Sequence, residues 1–469
     1  MWLRRERLYR PTIMPRRSRL TVLIVLVGVV AIAGLGIAWG PSLLGATPTP
    51  DGRQAAGTPG PATPTATPDP SDQSPTAAPS TTRASSATAS PSSSAIAGPL
   101  PPPPAPPSAD VLARQLERRL AALRVQHGIP GISATILFAD GSEWNGADGV
   151  ADVAAGRPVR NDTAFSIASM SKTFTAALVI DLVDEGRLRL DESAAPHLPG
   201  VKVNRAITIR MLLDHTSGLS DYFLSPTIDR ALTADRNARW DARRALTFVG
   251  APYFPPGKGW RYSNTNYLLL GLVVEGVTAR SIAAEVRERF LDPLELESMS
   301  YQGVEKARTV LARGYRFASA STTARPVDVG DRSGIAPYRA LVTASGAAGS
   351  LAGTSADVAR WGRELYAGDA LSAAARALMV EGVAATSPLR PVIPYGLGVQ
   401  AIPIGGFASL GHSGRFSGFR GVLRYLPAED VAIAILTNQS RMDPNLLVPE
   451  FLRVLYPDPG ACNPCATRS

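Results

Sequence analysis

Cysteine is almost absent from this chain of 469 residues, which has only Cys462 and Cys465, both within its last eight residues. This scarcity excludes a thiol nucleophile in the core and a framework of disulfides. One Cys-x-x-Cys pair without a second pair or a neighbouring histidine is a weak zinc signal. We interpret 459–469 as a loose C-terminal tail, and a local disulfide formed outside the cytosol is the alternative.

Histidine is also scarce, with four in the chain. None of them stands in a metal-ligand pattern such as His-Glu-x-x-His, so the sequence predicts no metal and no cofactor. Three receive structural interpretations: His127 at the end of a helix, His197 beside a proline-containing turn and His215 in a turn of its own. The fourth, His412, belongs to a candidate site.

Positive charge is concentrated at the N-terminus and is sparse elsewhere. The formal net charge is +9, but residues 1–19 hold seven arginines and one glutamate, a charge of +6 that leaves +3 for the other 450 residues. A near-neutral folded region offers no basic stripe along which phosphates could lie, and basic and aromatic residues do not interleave. Nucleic acid is therefore not an expected partner.

Long apolar runs are limited to one segment. Leu20 to Trp39 is a stretch of 20 residues without a charge, which as a helix is about 30 Å long and spans a bilayer. We predict a cytoplasmic basic segment at 1–19 and one transmembrane anchor at 20–40 that places the rest of the chain outside the cell membrane. The alternative is a cleaved signal peptide and a secreted protein, although Leu44-Gly45-Ala46 is a poor cleavage site.

Bulky apolar residues are few in 41–107, and 17 of the 41 prolines lie between Ala46 and Pro107. Such a segment cannot bury enough apolar surface to offset its chain entropy, so we predict a disordered linker rich in Pro, Ser, Thr and Ala. It would act as a stalk between the membrane and the domain that follows. Residues 108–458 are long enough for one sizeable core and are predicted to be that domain.

The domain mixes helical and strand patterns. The predicted helices run from the N-cap Ser108 to Gly128, from Thr173 to Asp184, and from the capping box Thr354–Asp357 through Trp361, and the predicted strands are 131–138, 421–425 and 431–436. Strands at both ends with helices between them favour an α+β domain in which both ends of the folded region share one sheet.

Lysine is rare beside arginine, four against 44, and one of the four is Lys172, three residues after Ser169. At a helix start this spacing places both side chains on one face, one turn apart. The positive end of the helix favours a developing oxyanion at Ser169, and Lys172 can lose its proton when desolvated, which arginine cannot. Alone, Ser-x-x-Lys is also typical of a solvated helix start.

A second motif, Tyr262-Ser263-Asn264, is the only Tyr-x-Asn in the chain. The phenol of Tyr262 beside a lysine can act as a base or a proton shuttle, and the Asn264 amide can hold a substrate carbonyl. Alone, the triplet is also typical of a loop tyrosine followed by a capping asparagine.

A third motif, Gly411-His412-Ser413-Gly414-Arg415, precedes a predicted strand pair. Here His412 or Ser413 can meet an anionic group, and the backbone amide of Arg415 can be an oxyanion donor. Gly414 would let the backbone of a ligand approach the strand edge. Alone, the segment is also typical of a hairpin with an exposed histidine.

The three motifs, in this order, resemble those of the serine β-lactamase and penicillin-binding protein superfamily, in particular its branch of class C β-lactamases and D-alanyl-D-alanine carboxypeptidases. The similarity spans about Val111 to Leu455 and includes the segments Gly149–Asp152, Gly156–Val159, Leu212–Leu219 and Ser345–Ser350. The resemblance implies an α+β fold: an antiparallel β-sheet flanked by helices, with an inserted, mostly helical subdomain, as in β-lactamases and transpeptidases.

The same resemblance implies the roles of the site residues. Ser169 would be the nucleophile, with Lys172 and Tyr262 as the catalytic base pair. Asn264 would hold the substrate amide, and the backbone amides of Ser169 and Arg415 would form the oxyanion hole.

The sequence departs from the β-lactamase pattern at the third motif. His412-Ser413-Gly414 stands where β-lactamases have Lys-Thr-Gly, whereas carboxypeptidase, D-aminopeptidase and esterase relatives have a histidine. The permanent cation that faces the carboxylate of a β-lactam is therefore missing. We hypothesise that Arg415 or Arg420 supplies this positive charge.

The sequence thus predicts a membrane-anchored extracytoplasmic serine hydrolase that forms an acyl-enzyme on amide or ester bonds. D-Alanyl-D-alanine carboxypeptidase or β-lactamase-like activity is expected, on a small molecule or a peptidoglycan peptide. The alternatives are an esterase or D-aminopeptidase of the same family, and a penicillin-binding sensor module that is acylated once without turnover.

Overall fold

The computed structural model describes residues 108–319, 321–386 and 394–457. The predicted basic segment 1–19, anchor 20–40, linker 41–107 and tail 459–469 lie outside these residues, as do both cysteines. None of the helices in these residues combines the length and the apolar composition that a membrane span requires. The helical segments Asn264–Thr278 and Ile282–Leu291 reach that length and apolar composition only when they are taken together, and the chain bends by 82° between them.

The described chain alternates between short strands and helices. The strands are β1 (Gly131–Leu137), β2 (Glu143–Asp152), β3 (Arg157–Pro158), β4 (Phe165–Ser166), β5 (Ser300–Tyr301), β6 (Tyr315–Phe317), β7 (Pro326–Asp328), β8 (Leu351–Gly353), β9 (Gln400–Ala401), β10 (Leu410–Phe416), β11 (Phe419–Leu426) and β12 (Val431–Thr437). The α-helices are α1 (Ala109–Gln126), α2 (Ser171–Asp184), α3 (Ile209–Leu213), α4 (Ile228–Ala234), α5 (Ala242–Leu246), α6 (Asn264–Thr278), α7 (Ile282–Val286), α8 (Arg339–Ser345), α9 (Ser355–Tyr366), α10 (Ala373–Thr386) and α11 (Val448–Leu455).

The main sheet has seven strands in the order β3-β2-β1-β12-β11-β10-β9. Its neighbouring strands are antiparallel, and β1 pairs with β12 from Ile132↔Thr437 to Leu137↔Ala432. Both strands are buried along their whole length because the central positions of the sheet are covered on both faces. The prediction that both ends of the folded region share one sheet is confirmed.

The sheet separates two apolar cores. Alternate residues of β11 point to opposite faces, so Val422 packs in the core beneath α1 and α11 whereas Leu423 packs in the larger core with α2 and α9. In the larger core, the Trp361 ring of α9 stacks on Phe174 of α2 with centroids 3.8 Å apart. This stack fixes α2, the helix that follows Ser169.

The predicted helices differ from the observed ones mainly at their ends. Thr354 accepts a capping hydrogen bond from the Asp357 amide at 3.3 Å, as the capping box predicts, but α9 continues past Trp361 to Tyr366. The second predicted helix begins at Ser171 rather than Thr173. Ser108 stands at the N-cap of α1, but its side chain accepts no capping hydrogen bond.

A smaller core lies in the helical region between β4 and β10. It joins residues of α4, α5, α6 and α8, such as Leu268 of α6, with Tyr222 and Trp240 from the segments before α4 and α5. The described residues therefore form an α+β fold with an antiparallel sheet, flanking helices and a mostly helical insertion, as predicted. The first and third motifs meet where β10 packs on the turn at Ala168–Met170.

Candidate active site

Ser169 lies in a tight turn at the start of α2. The residues Ala168–Met170 form a 3-10 turn, and Ala168 adopts a left-handed φ of 50° that reverses the chain after β4. Ser169 is half-buried, whereas its neighbours Ala168 and Met170 are buried. The turn therefore holds the Ser169 hydroxyl at a partly open position beside the N-terminus of α2.

Lys172 is fully buried, and its ammonium nitrogen has three hydrogen-bond partners. Nζ lies 3.1 Å from Ser169 Oγ and donates over 2.7 Å to Asn264 Oδ1 and over 2.7 Å to the carbonyl oxygen of Ala348. Burial lowers the pKa of Lys172 to about 7, against the opposing effect of the Asp221 carboxylate. Near neutral pH, Lys172 is thus able to release and accept a proton.

Tyr262 completes the group that the sequence predicts around Ser169. Its side chain interacts electrostatically with Ser169, and its ring centroid is 5.1 Å from Lys172 Nζ. Burial raises the pKa of Tyr262 far above its ordinary value, so the phenol keeps its proton at neutral pH. Of the two predicted base groups, Lys172 is the one that titrates near neutrality, and Tyr262 is placed to pass a proton.

Asn264, the first residue of α6, connects this group to a buried carboxylate. Its Oδ1 accepts from Lys172, and its Nδ2 donates to Asp221 Oδ2 over 2.8 Å. His215, at a left-handed φ of 66°, fixes the second motif because its Nδ1 accepts from the Ser263 amide over 3.2 Å. The structural interpretation of His215 agrees with this contact.

The third motif lies on β10, which runs beside the Ser169 turn. A Cβ added to Gly414 would be 2.1 Å from the Ile167 carbonyl oxygen, so the glycine is required by the protein's own backbone. This is a structural reason for glycine at 414, and the approach of a ligand backbone to this strand edge stays a prediction. The same contact places β10 against the turn that carries Ser169.

His412 is buried, with 1% of its surface exposed, so the alternative of an exposed hairpin histidine is wrong. Its Nδ1 lies 2.7 Å from the Ser413 carbonyl oxygen and must carry the proton, because a carbonyl only accepts. Its Nε2 then accepts from the Tyr395 hydroxyl at 3.0 Å. Burial lowers the pKa of His412 to about 3, so it supplies no cation to an anionic substrate group.

Ser413 lies in a polar network that the sequence did not reveal. Its Oγ accepts from Arg424 Nη2 over 3.0 Å and from Asn445 Nδ2 over 2.8 Å, and its amide donates to Gln400 Oε1 over 3.1 Å. Arg424 is fully buried, and among the described residues no carboxylate forms an ion pair with it. A charged residue within the apolar run of β11 was the signal available in the sequence.

The two arginines of the charge hypothesis lie opposite each other on β10 and β11. The side chain of Arg415 is exposed, whereas the half-buried Arg420 donates through Nε to the Ser440 carbonyl oxygen over 3.0 Å. Burial and the neighbouring Arg415 lower the pKa of Arg420 to about 10. The hypothesis did not include a third cation, the buried Arg424, which donates a hydrogen bond to Ser413 Oγ.

Asp221 was also missed, since a loop aspartate has no periodic pattern to mark it. It is 4% exposed and lies two residues after the segment Leu212–Leu219 that carries part of the family resemblance.

Metal ligation is a separate question. In the part of the chain that the structure describes, no group of three or more His, Cys, Asp or Glu side chains is placed to bind a metal.

A half-buried serine at a helix start, hydrogen-bonded to a buried lysine of lowered pKa and accompanied by a tyrosine, defines a serine hydrolase site in which lysine takes the place of histidine. The chain belongs to the β-lactamase family, whose sequence model matches residues 113–453. Its relatives in this family are serine hydrolases that act on amide or ester bonds, and this protein is an enzyme of that class.

Individual relatives agree with this assignment. The chain is 34% identical over 336 residues to penicillin-binding protein 4 of Amycolatopsis lactamdurans, covering 69% of this chain and 84% of that protein. A crystal structure of a D-stereospecific amidohydrolase from Streptomyces sp. is 28% identical with a TM-score of 0.59, covering 71% of this chain and 95% of that one. The D-amino acid amidase of Ochrobactrum anthropi SV3, 22% identical with a TM-score of 0.63, shares the fold over 74% of this chain and 99% of its own.

Proposed function

We propose that the protein is a membrane-anchored, extracytoplasmic hydrolase in which Ser169 forms an acyl-enzyme with a D-alanyl-D-alanine peptide or a β-lactam. The observation that carries the proposal is the distance of 3.1 Å between Lys172 Nζ and Ser169 Oγ. An esterase or D-aminopeptidase activity of the same site is the alternative. Both use the same nucleophile and differ in the bond that is cleaved.

The contacts of Lys172 explain how it can act as a base. The Ala348 carbonyl and Asn264 Oδ1 only accept hydrogen bonds, so together they engage both N–H groups of a neutral amine. The lone pair is then directed at Ser169 Oγ. Lysine is suited to this role because it loses its proton when buried.

The reaction follows from this arrangement. As Ser169 Oγ bonds to the substrate carbonyl carbon, its proton passes to Lys172 Nζ, and the carbonyl oxygen becomes an oxyanion facing the amides of Ser169 and Arg415. When the bond to the leaving group breaks, Tyr262 donates its proton to that group and receives one from Lys172. Water then attacks the ester and gives one proton to the leaving Ser169 oxygen, which releases the acid and restores the enzyme.

Two comparisons support the substrate classes. A relative that shares a third of its aligned residues is a penicillin-binding protein, and a solved relative is a D-stereospecific amidohydrolase. Both names are consistent with acyl transfer from an amide. The histidine in place of the β-lactamase lysine favours a peptidase over an efficient antibiotic-degrading enzyme.

Active-site labelling tests the nucleophile. A fluorescent penicillin and a fluorescent fluorophosphonate should each label the full-length protein, and the Ser169→Ala variant should remain unlabelled. Ser171→Ala is the matched control, since this hydroxyl lies two residues away and accepts from the Leu351 amide instead. Absence of labelling in folded wild-type protein, or labelling retained by Ser169→Ala, would contradict the proposal.

A hydrolysis panel separates the substrates and the sensor alternative. We would compare a D-alanyl-D-alanine peptide, nitrocefin, p-nitrophenyl acetate and a D-amino acid anilide. Steady release of D-alanine supports the carboxypeptidase, whereas a burst of one product per enzyme without a steady state supports a sensor that is acylated once. Activity on the acetate or anilide alone supports the esterase or D-aminopeptidase.

The anchor and its orientation are proposed from residues 1–107. Fractionation of cells should place the protein in the membrane, and protease added to cells stripped of their wall should remove the catalytic domain. Recovery from the medium of a protein whose N-terminal residue lies after residues 20–40 would instead support a cleaved signal peptide. Recovery in the cytosol would contradict both.

A further inference from the structure

Asp221 is a buried carboxylate for which the reaction above has no role. Its Oδ1 accepts from the Phe223 amide over 3.0 Å and so caps the 3-10 turn Tyr222–Leu224. Its Oδ2 accepts from Asn264 Nδ2 over 2.8 Å. Among the residues that the structure describes, no lysine or arginine forms an ion pair with Asp221. Burial raises the pKa of Asp221, and the hydrogen bonds from Phe223 and Asn264 and the nearby Lys172 oppose that rise by stabilising the charged carboxylate.

The contact with Asp221 determines which way the Asn264 amide faces. A carboxylate only accepts hydrogen bonds, so Asn264 must present its Nδ2 to Asp221. Its Oδ1 then faces the other way and accepts from Lys172 Nζ over 2.7 Å. If the amide were reversed, Asn264 would present N–H groups to the ammonium of Lys172 and a carbonyl to the carboxylate, and both contacts would be lost.

We propose that Asp221 is the positioning residue of the catalytic lysine, holding the Asn264 amide in its productive orientation and placing a negative charge behind it. The inference rests on the proposed function, since it assigns a role to Lys172 as base. No hydrogen bond joins Asp221 to Ser169. Asp221 acts through Asn264, whose second Nδ2 hydrogen remains free to hold a substrate carbonyl.

The charge of Asp221 has a second consequence for Lys172. Burial lowers the pKa of Lys172 to about 7, and the Asp221 carboxylate opposes this decrease. The other titratable groups that face Lys172 or Asp221 are His215, Tyr222, Tyr262, Tyr267 and His412. Burial lowers the pKa of both histidines and raises that of Tyr222, Tyr262 and Tyr267, so all five stay neutral near pH 7.

The test is the pH dependence of Ser169 labelling by a fluorophosphonate, which needs no knowledge of the natural substrate. Wild type should be labelled faster as Lys172 loses its proton. Asp221→Asn removes the charge but keeps the shape, so the rise should move to lower pH by about half a unit or more. The labelling rate at high pH should also fall by about tenfold. The NH2 group of the new amide side chain cannot accept a hydrogen bond, so one of the two bonds from the Phe223 amide and Asn264 Nδ2 is lost.

Two further variants separate charge from packing. Asp221→Ser also removes the charge but retains a good capping residue for the Phe223 amide, so it should show the same shift even if Asp221→Asn folds poorly. Asp221→Glu retains the charge, so its labelling rate should rise at nearly the same pH as that of wild type, although the rate itself is lower. Asp357→Asn is the matched control, a buried carboxylate that contacts Ser298 and should leave the profile unchanged.

The outcomes are distinct. If the labelling rates of both Asp221→Asn and Asp221→Ser rise at the same pH as that of wild type, the inference is overturned and the proposed function is left intact. A shift in Asp221→Glu or Asp357→Asn equal to that of Asp221→Asn overturns it too, because the effect would then come from packing. A folded wild type that no fluorophosphonate labels overturns the proposed function and this inference together.

Discussion

The backbone of Gly414 lies so close to Ile167 that a Cβ built on the glycine would stand 2.1 Å from the Ile167 carbonyl oxygen. Real Cβ atoms do not approach an oxygen this closely. The contact joins the strand of the third motif to the turn that carries Ser169, the proposed nucleophile. The relative position of the Ser169 and Arg415 amides, the proposed oxyanion hole, therefore depends on glycine at 414.

Gly414→Ala should consequently disable the site more than it destabilises the fold. Pushing β10 away from the turn should lower the rate of fluorophosphonate labelling by about a hundredfold, the usual effect of losing one oxyanion donor. The free energy of unfolding should fall by about 1–3 kcal/mol, as for overpacking elsewhere. Gly250→Ala is the control, because a Cβ there meets its nearest atom at 3.6 Å. Equal labelling rates in wild type and Gly414→Ala would contradict this account.

The sequence predicts local geometry well where one helix or one strand pair determines it. Ser169 and Lys172 lie three residues apart at a helix start, so their proximity follows from helical geometry. The buried runs of β1 and β12 identify central strands, and their pairing follows from a sheet shared by the two ends of the domain. Nothing in the sequence alone places Tyr262 beside them, and the family resemblance was needed for that.

The residues that were missed act through tertiary contacts. Asp221 is a loop residue that becomes important only once the fold brings Asn264 to it. Arg424 was noticed as part of a strand, but a strand pattern does not say which charged residue has buried partners. The alternative of an exposed hairpin histidine is wrong for His412, because the hydroxyl of Tyr395, a residue outside the third motif, lies 3.0 Å from its buried Nε2.

The pH dependence of acylation should report the pKa of Lys172. This pKa is lowered to about 7, and the neutral amine is the form that accepts the Ser169 proton. The labelling rate of wild type should therefore rise with pH through about 7 and then level off. His412 stays neutral throughout this range and contributes no second step. Measurement between about pH 5 and pH 9 with fluorophosphonate checks this; a rate independent of pH would contradict it.

The same group makes the stability of the fold depend on pH. The pKa of Lys172 is about 7 in the fold and 10.5 ordinarily, so between these values the unfolded chain binds more protons and the free energy of unfolding rises with pH. Lys172→Met lacks this contribution. The stability of the variant relative to wild type should therefore decline by about 3 kcal/mol between about pH 7 and pH 9.5. Urea unfolding at several pH values measures this difference in the free energy of unfolding. Lys202→Met, at an exposed lysine, is the control, and its difference from wild type should stay constant with pH.

The cation of the third motif can be identified by comparing anionic and neutral acylating agents. Arg424 is fully buried, its pKa is lowered by burial only to about 10, and its Nη2 donates to Ser413 Oγ over 3.0 Å. It stays charged at neutral pH and places positive potential beneath the Ser413 hydroxyl. A substrate carboxylate bound at Ser413 would benefit from that charge more directly than from the exposed Arg415.

Arg424→Gln should therefore lower the rate of acylation by a penicillin, which carries a carboxylate, by about tenfold more than the rate with a neutral fluorophosphonate. Arg424→Lys should restore much of the ratio because it keeps the charge, whereas a purely structural role would lower both rates in proportion. Arg415→Ala and Arg420→Ala test the alternative on the same two reagents. If either of these changes the ratio while Arg424→Gln does not, the charge that meets the carboxylate belongs to the sheet edge and not to the buried network of Arg424.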